Sequence, residues 1–153
     1  FFLLWTSVAG ASSFTGKVVK VTDGDTIQVM RDGKAEKIRL AGIDCPEKNQ
    51  AFGQAATKYT LSLAAQEIVT VQVETTDRYG RLVGEVILPD GKNLNRELVR
   101  AGYAWWYRKY SSDITLGDLE SEARINRCGL WVDPNPVSPW DWRKNRKSSS
   151  DPK

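Results

Sequence analysis

The stretch GKVVKVTDGDTIQVMRDGKAEKIRLAGI, residues 16–43, decides how this chain folds. Gly16 to Thr22 is basic and β-branched, as strands are, and Asp23-Gly24-Asp25 breaks it. Thr26 to Arg31 alternates, with Ile27 and Val29 on one face. Asp32-Gly33 is a strong signal for a tight hairpin turn, and Lys37 to Ile43 returns as the partner strand. The three runs predict an antiparallel meander. Pairing about Asp32-Gly33 brings the residues before Thr26 close to those after Ile43, at one rim of the sheet.

Beyond the meander, residues 44–54 (DCPEKNQAFGQ) form a loop by their Pro, Gly and polar content. Ala55 to Glu67 has helix-forming composition, with Leu61 and Ala65 on one possible buried face. Ile68 to Glu74 alternates, with Val69, Val71 and Val73 on one side, and Arg81 to Leu88 reads as its neighbour strand. Pro89-Asp90-Gly91 is a turn, and Leu94 to Ala101 a short helix ended by Gly102. Thr115 to Asn126 is a third helix, with Thr115 and Asp118 as its capping pair and Leu116, Leu119 and Ala123 as its apolar stripe. The class is α+β, mainly β. Five short strands with interspersed helices suit a small barrel of the OB kind, although an open α+β sheet reads much the same.

Residues 12–132 make one domain. The tail, residues 133–153, is rich in Pro, Ser and basic residues, and Trp140 and Trp142 precede Arg143, Lys144, Arg146 and Lys147. It reads either as a basic, stacking contact for nucleic acid or, more simply, as a solvated extension pinned by two Trp side chains. At the other end, FFLLWTSVAGA (residues 1–11) reads as the truncated apolar core of a signal peptide, with Ala9-Gly10-Ala11 as the cleavage site. A secreted, periplasmic or extracellular bacterial protein is expected. A short apolar strand or an N-terminal membrane anchor reads the same way, although the run as it stands is too short to span a bilayer, and no other segment approaches that length.

Composition narrows the chemistry. Net charge is +3, a mild bias toward acidic partners. The 153 residues include no histidine, so a Ser-His-Asp triad, a Cys-His pair and histidine-ligated zinc are all excluded. Two cysteines, Cys45 and Cys128, cannot build a four-thiolate site; they form one bridge or, more simply, stay as two small buried thiols. If the chain is an enzyme, its chemistry must come from Asp, Glu, Lys, Arg, Tyr, Ser or Thr.

Three stretches carry such residues: Asp23-Gly24-Asp25-Thr26, residues 39–47 (RLAGIDCPE) and Asp77-Arg78-Tyr79-Gly80-Arg81. The hairpin lets Asp25 and Asp44 converge at the rim, with Glu47 close by. Clustered carboxylates repel unless a cation lies between them. A hard cation such as calcium takes oxygens from carboxylates, backbone carbonyls and water, and Asp25, Asp44 and the Cys45 carbonyl offer three. Arg39 alternates with apolar Ala41 and Ile43, so its charge needs a partner or an anionic ligand. Its guanidinium and that of Arg81 are planar forks that match phosphate oxygens. Singly, each feature has a plain structural reading as a turn, a cap or an ion pair.

Together, DGDT (23–26), IRLAGIDCPE (38–47), DRYGR (77–81), LNRELVRAGYAW (94–105) and GLW (129–131) resemble the staphylococcal nuclease family, over about Gly16 to Trp131. The resemblance implies a five-stranded OB-fold barrel with three helices. It implies calcium-dependent cleavage of DNA and RNA to 3′-phosphates. By motif position, Asp25, Asp44 and the Cys45 carbonyl match the metal ligands, and Arg39, Arg81 and Glu47 the catalytic groups. Tyr79 and Arg78 in the turn, and Tyr110, are the candidate substrate contacts. Two departures stand out: the loop KNQAFG (48–53) is short, and the segment Trp105 to Tyr110 does not align readily with the family's stacking tyrosines. A thiol at Cys45 beside a metal raises the prospect of redox or heavy-metal sensitivity. A monomer is expected. The competing reading is an inactive OB-fold module that binds single-stranded nucleic acid.

Overall fold

A computed structural model describes residues 12–150. The expected signal peptide lies outside the described residues. Five strands close a barrel in the order β1 (Ser13–Asp23), β2 (Thr26–Arg31), β3 (Lys34–Leu40), β6 (Leu82–Ile87) and β5 (Ile68–Thr76), with β5 pairing back onto β1. All neighbours are antiparallel except β3 and β6. This is the expected OB-type barrel, and closure leaves it no open edge. The hairpin turns where Asp-Gly announced it: Asp32 and Gly33 have φ of 49° and 78°, the pair of positive values that a tight turn matched to strand twist requires.

Alternation fixed the interior. Val18, Ile27, Val29, Ile38, Leu40, Val69, Val71 and Val86 are all buried in one cluster. Each fully buried aliphatic side chain contributes about 1.5–3 kcal/mol. The partner strand has the expected length but lies three residues earlier, Lys34–Leu40 rather than Lys37–Ile43. It ends at Leu40, and Gly42, with φ of 76°, turns the chain so that β4 (Ile43–Asp44) pairs instead with β7 (Trp105–Trp106).

The helices are α1 (Gly53–Ala64), α2 (Leu94–Arg100), α3 (Ile114–Ile125) and α4 (Pro139–Ser150). The buried face of α1 is not the one that Leu61 marks. Leu61 is exposed, and Ala56, Thr60 and Ala64 are buried toward the barrel, while Gly53 packs against the backbone of Glu47. Small residues let the helix approach closely: Thr60 Oγ1 donates to the Gly24 carbonyl at 2.6 Å. In α3 the cap is Asp113 rather than Thr115, because Asp113 Oδ1 accepts from both the backbone N and the hydroxyl of Thr115. Its stripe is as expected, with Leu116 and Ala123 buried and Leu119 packed on the core.

The tail departs most. Residues 133–153 are not merely a solvated extension, for α4 forms within them and docks on the β4–β7 pair and its flanking residues. Ser138 accepts from the Asp141 backbone N at 3.3 Å and donates to its carboxylate at 2.7 Å, with Pro139 opening the helix. The Trp140 ring lies parallel to Tyr107 at 5.2 Å and meets Trp105 edge-on at 5.6 Å. Its distal residues are exposed, so the solvated reading holds for that half alone. Among the described residues no helix is long and apolar enough to cross a membrane.

Candidate active site

Barrel register builds the rim. Thr26 opens β2 opposite Arg39 of β3, and the Leu40 N–H donates to the Asp25 carbonyl at 2.9 Å. Asp25 therefore sits beside Arg39. Its Oδ2 accepts from the Cys45 backbone N at 2.8 Å, which ties it to the start of the following loop. The Gly42 turn and the β4–β7 pairing hold Asp44 from the other side, 2% exposed. One Arg39 nitrogen, Nη2, lies 3.2 Å from Asp44 Oδ1 and 3.5 Å from Asp25 Oδ2. Its neighbour Nη1 donates to the Leu40 carbonyl at 2.8 Å.

The charges strain one another. Burial pushes the Asp44 carboxyl above its usual range, and repulsion from Asp25 adds to this, while Arg143 and Arg39 oppose it only in part. Asp23 is raised too, by burial and then by Asp25 and Glu47. For Arg39 burial alone would weaken the charge, but Asp25 and Asp44 outweigh it and hold the proton on.

The Cys45 thiol is buried. Burial, and then Asp25, push its pKa well above the ordinary thiol value. Its sulfur packs so close to Gly24 that a Cβ there would lie 3.0 Å from it. Burial works against the expected redox or heavy-metal sensitivity at Cys45. Cys45 and Cys128 are both free, and Cys128 is only partly buried.

Glu47 reaches the same rim through a residue that motif reading missed. Arg143 of α4 grips Asp44 with two bonds, Nη2 to Oδ2 at 2.8 Å and Nη1 to Oδ1 at 3.3 Å, and Nη1 also reaches Glu47 Oε1 at 2.7 Å. The available signal was Ser138-Pro139-Trp140-Asp141, an N-cap, a first-turn Pro and an acid at the third helical position. That string predicts a helix, and hence an ordered Arg143.

Among the described residues Arg81 shares no hydrogen bond or ion pair with this cluster. It precedes β6, whose Leu82 pairs with Ile38 of β3, so it lies along the strand adjoining the one that carries Arg39. Its Nε donates to Asp77 Oδ2 at 2.7 Å, and no hydrogen bond among the described residues takes Nη1 or Nη2. Burial would raise Asp77, but bonds from the Arg81 backbone and side chain and from the Tyr79 backbone hold it below the usual carboxylate range. Tyr79 is exposed in the same turn, its hydroxyl bonded to Arg78 Nη2 at 2.7 Å. Tyr110 is exposed elsewhere, over an open hollow it shares with Trp106, Arg108 and Lys109. The structure thus gathers Asp25, Arg39, Asp44 and Glu47. Arg78, Tyr79 and Arg81 lie together in the turn before β6, linked through Asp77 and the Tyr79 ring, and Tyr110 lines a different hollow.

Would a cation fit? No three acidic, cysteine or histidine side chains among the described residues close on one point. An ion here would rely on two aspartates, a backbone carbonyl and water, a hard-oxygen set of the kind calcium takes. The charge pattern favours one. Asp23, Asp25, Asp44 and Glu47 face Arg39 and Arg143, with exposed Lys48 outside them. The guanidinium of Arg143 already sits on Asp44 as a cation would.

A closed barrel whose rim couples carboxylates to guanidinium forks, in a chain without histidine, suits the hydrolysis of phosphodiester bonds. Comparison with known proteins agrees. The family model described as staphylococcal nuclease homologue matches residues 37–133. An uncharacterized endonuclease of Escherichia coli O157:H7 is 50% identical over 131 residues, covering 86% of each chain. A micrococcal nuclease of Shigella flexneri is 40% identical over 158 residues, covering 97% of this chain and 91% of its own. The staphylococcal-like nuclease CAN1 of Arabidopsis thaliana is 39% identical over 117 residues, 76% of this chain and 36% of its own. The chain belongs to the staphylococcal nuclease homologue family.

Proposed function

We propose that this protein cleaves DNA and RNA with calcium as its cofactor and leaves 3′-phosphate ends. The observation that carries the reading is the convergence of Asp25 and Asp44 on one nitrogen of Arg39. Asp25, Asp44 and the Cys45 carbonyl would hold the calcium, which supplies Lewis-acid polarisation of a phosphoryl oxygen when bound. Glu47, on the loop beyond β4, orients and deprotonates the attacking water. Arg39 comes from inside the barrel rim, and Arg81 offers the edge that Asp77 leaves open. The two forks bind oxygens whose negative charge grows in the transition state. Tyr79 and Arg78 steer the strand beside Arg81, and Tyr110 stacks a more distant base. Burial of Asp44 also keeps bulk water from weakening these charges.

Supercoiled plasmid and an RNA transcript, each incubated with calcium and then with excess chelator, test the reading. Cleavage of both that stops with chelator is expected, giving ends that a polymerase extends only after phosphatase treatment. Cleavage undiminished by chelator would remove calcium from the scheme, and directly extendable ends would refute the product assignment. Binding without any cleavage would favour the non-catalytic module. Export through residues 1–11 is part of the proposal, supported by the Ala9-Gly10-Ala11 pattern. Sequencing the N-terminus of protein from the medium should give a chain starting after Ala11, and one that retains Phe1 would count against it.

A further inference from the structure

We infer that Arg143 is a third substrate arginine, parked on Asp44 and Glu47 until a phosphate of the bound strand takes it over. The inference rests on the hydrolase reading above, because its force comes from which carboxylates Arg143 holds. Both oxygens of Asp44 and one of Glu47 are bonded to it. A carboxylate that gives both oxygens to a guanidinium has little left for a metal, and a general base bonded to a fixed cation is poorly placed to accept a proton. Something must shift when substrate arrives.

Arg143 and Asp44 differ in freedom to move, and swinging Glu47 away, though its side chain is 36% exposed, would leave Asp44 still gripped. Asp44 is buried, fixed by the β4–β7 pair and also held by Arg39. The Arg143 side chain is 37% exposed. The helix beneath it stays anchored, since Trp140 is wedged against Tyr107 and Trp105 and Gln50 Nε2 donates to the Val137 carbonyl at 2.7 Å. A swing of one long side chain from a fixed helix is therefore the cheapest rearrangement. A guanidinium released beside Arg39 needs an anion, and the anion that arrives with substrate is a phosphate, whose oxygens suit the same two-pronged geometry. Further along α4, Lys144, Arg146 and Lys147 are exposed and continue the positive track. The strand would thus run from the scissile linkage along α4.

Salt dependence separates this role from a structural one. Each phosphate neutralised by a protein cation adds about one unit to the slope of log affinity against log salt. With calcium present and a short phosphorothioate DNA as probe, Arg143→Gln should weaken binding roughly tenfold or more and flatten that slope by about one. The steady-state KM on plain DNA should rise by a similar factor while kcat falls less. Arg143→Lys, which keeps the charge without the fork, should restore the slope but not the full affinity. Melting curves for both variants check that the barrel still folds. An unchanged slope and KM in Arg143→Gln would overturn the inference and leave Arg143 a counter-ion. Tighter calcium binding by calorimetry, with an unchanged slope, would overturn it in favour of a latch that competes with the ion. If the wild-type protein binds DNA but cuts nothing, the hydrolase reading fails by itself, whereas the slope still reports on Arg143.

Discussion

At the scale of single residues, Arg39 has two duties that no other side chain can combine. Its fork bridges Asp25 and Asp44 while the opposite nitrogen anchors to the Leu40 carbonyl. A lysine offers one compact charge in place of that fork. Arg39→Lys should accordingly lose nearly as much turnover as Arg39→Ala, with a fall of about two orders of magnitude or more in kcat. Steady-state kinetics on plasmid DNA would measure it, and near-normal turnover in Arg39→Lys would show that charge alone suffices. Gly24 matters for a different reason, which is space. A Cβ there would lie 2.9 Å from Ala56 Cβ and 3.0 Å from Cys45 Sγ, both in the packed core. Gly24→Ala should cost about 1–3 kcal/mol of stability through overpacking, read by denaturant titration. It should lower activity as well, because Asp25 is the next residue. Charged motifs were legible in the sequence because hairpin pairing makes their proximity local. Arg143 was not, since it meets Asp44 across a sequence separation of 99 residues.

At the scale of elements, the strands declared themselves and the helix faces did so unevenly. Period-two alternation named Ile27, Val29, Val69, Val71 and Val73; the first four are buried in the barrel and Val73 packs against it partly buried. Alternation is robust because a one-residue slip would turn the whole apolar set outward. The face of α1 was illegible for the converse reason: it is selected for smallness, and Leu61 looked like the better core residue. The β4–β7 pair is two residues long, too short to carry any pattern, yet it fixes Asp44. One further contact ties a helix to that region. Asn95 of α2 is 1% exposed, accepts from the Val86 N–H at 3.2 Å and donates to the carbonyls of Ala41 and Gly84 at 3.0 and 3.1 Å. It thereby clamps β6 to the turn that leads into Asp44. Asn95→Leu should destabilise the fold by about 2–3 kcal/mol, as buried backbone groups lose their partner. Chemical denaturation would show this, and a change below about 0.5 kcal/mol would mean that the clamp is dispensable.

At the scale of the whole molecule, folding and function pull the rim carboxylates in opposite directions. Asp113 and Asp77 are held below the ordinary range, the first mainly by the Thr115 hydroxyl, the second by Arg81 and Tyr79 against slight burial. Both stabilise the fold above the unfolded value of about 3.9 and lose that effect as pH falls through their folded values. Asp44 and Asp23 are raised, chiefly by burial and then by their acidic neighbours. Their protonated forms favour the fold below about 3.9, and that advantage fades as pH rises through the raised values. At neutral pH their ionised forms are therefore a net strain, which a bound cation would relieve. A ligand at about a hundred times its Kd stabilises by about 2.7 kcal/mol, and for a chain of this length that corresponds to a rise in Tm of roughly 5–10 °C. Calcium should produce such a rise at neutral pH and progressively less in acid, where protons claim Asp44 before the ion can. Asp44→Asn should abolish the calcium-dependent rise, because it removes one of the two carboxylates that meet on Arg39. Differential scanning calorimetry with and without calcium decides the matter: a shift that survives intact in Asp44→Asn would place the ion somewhere other than this rim.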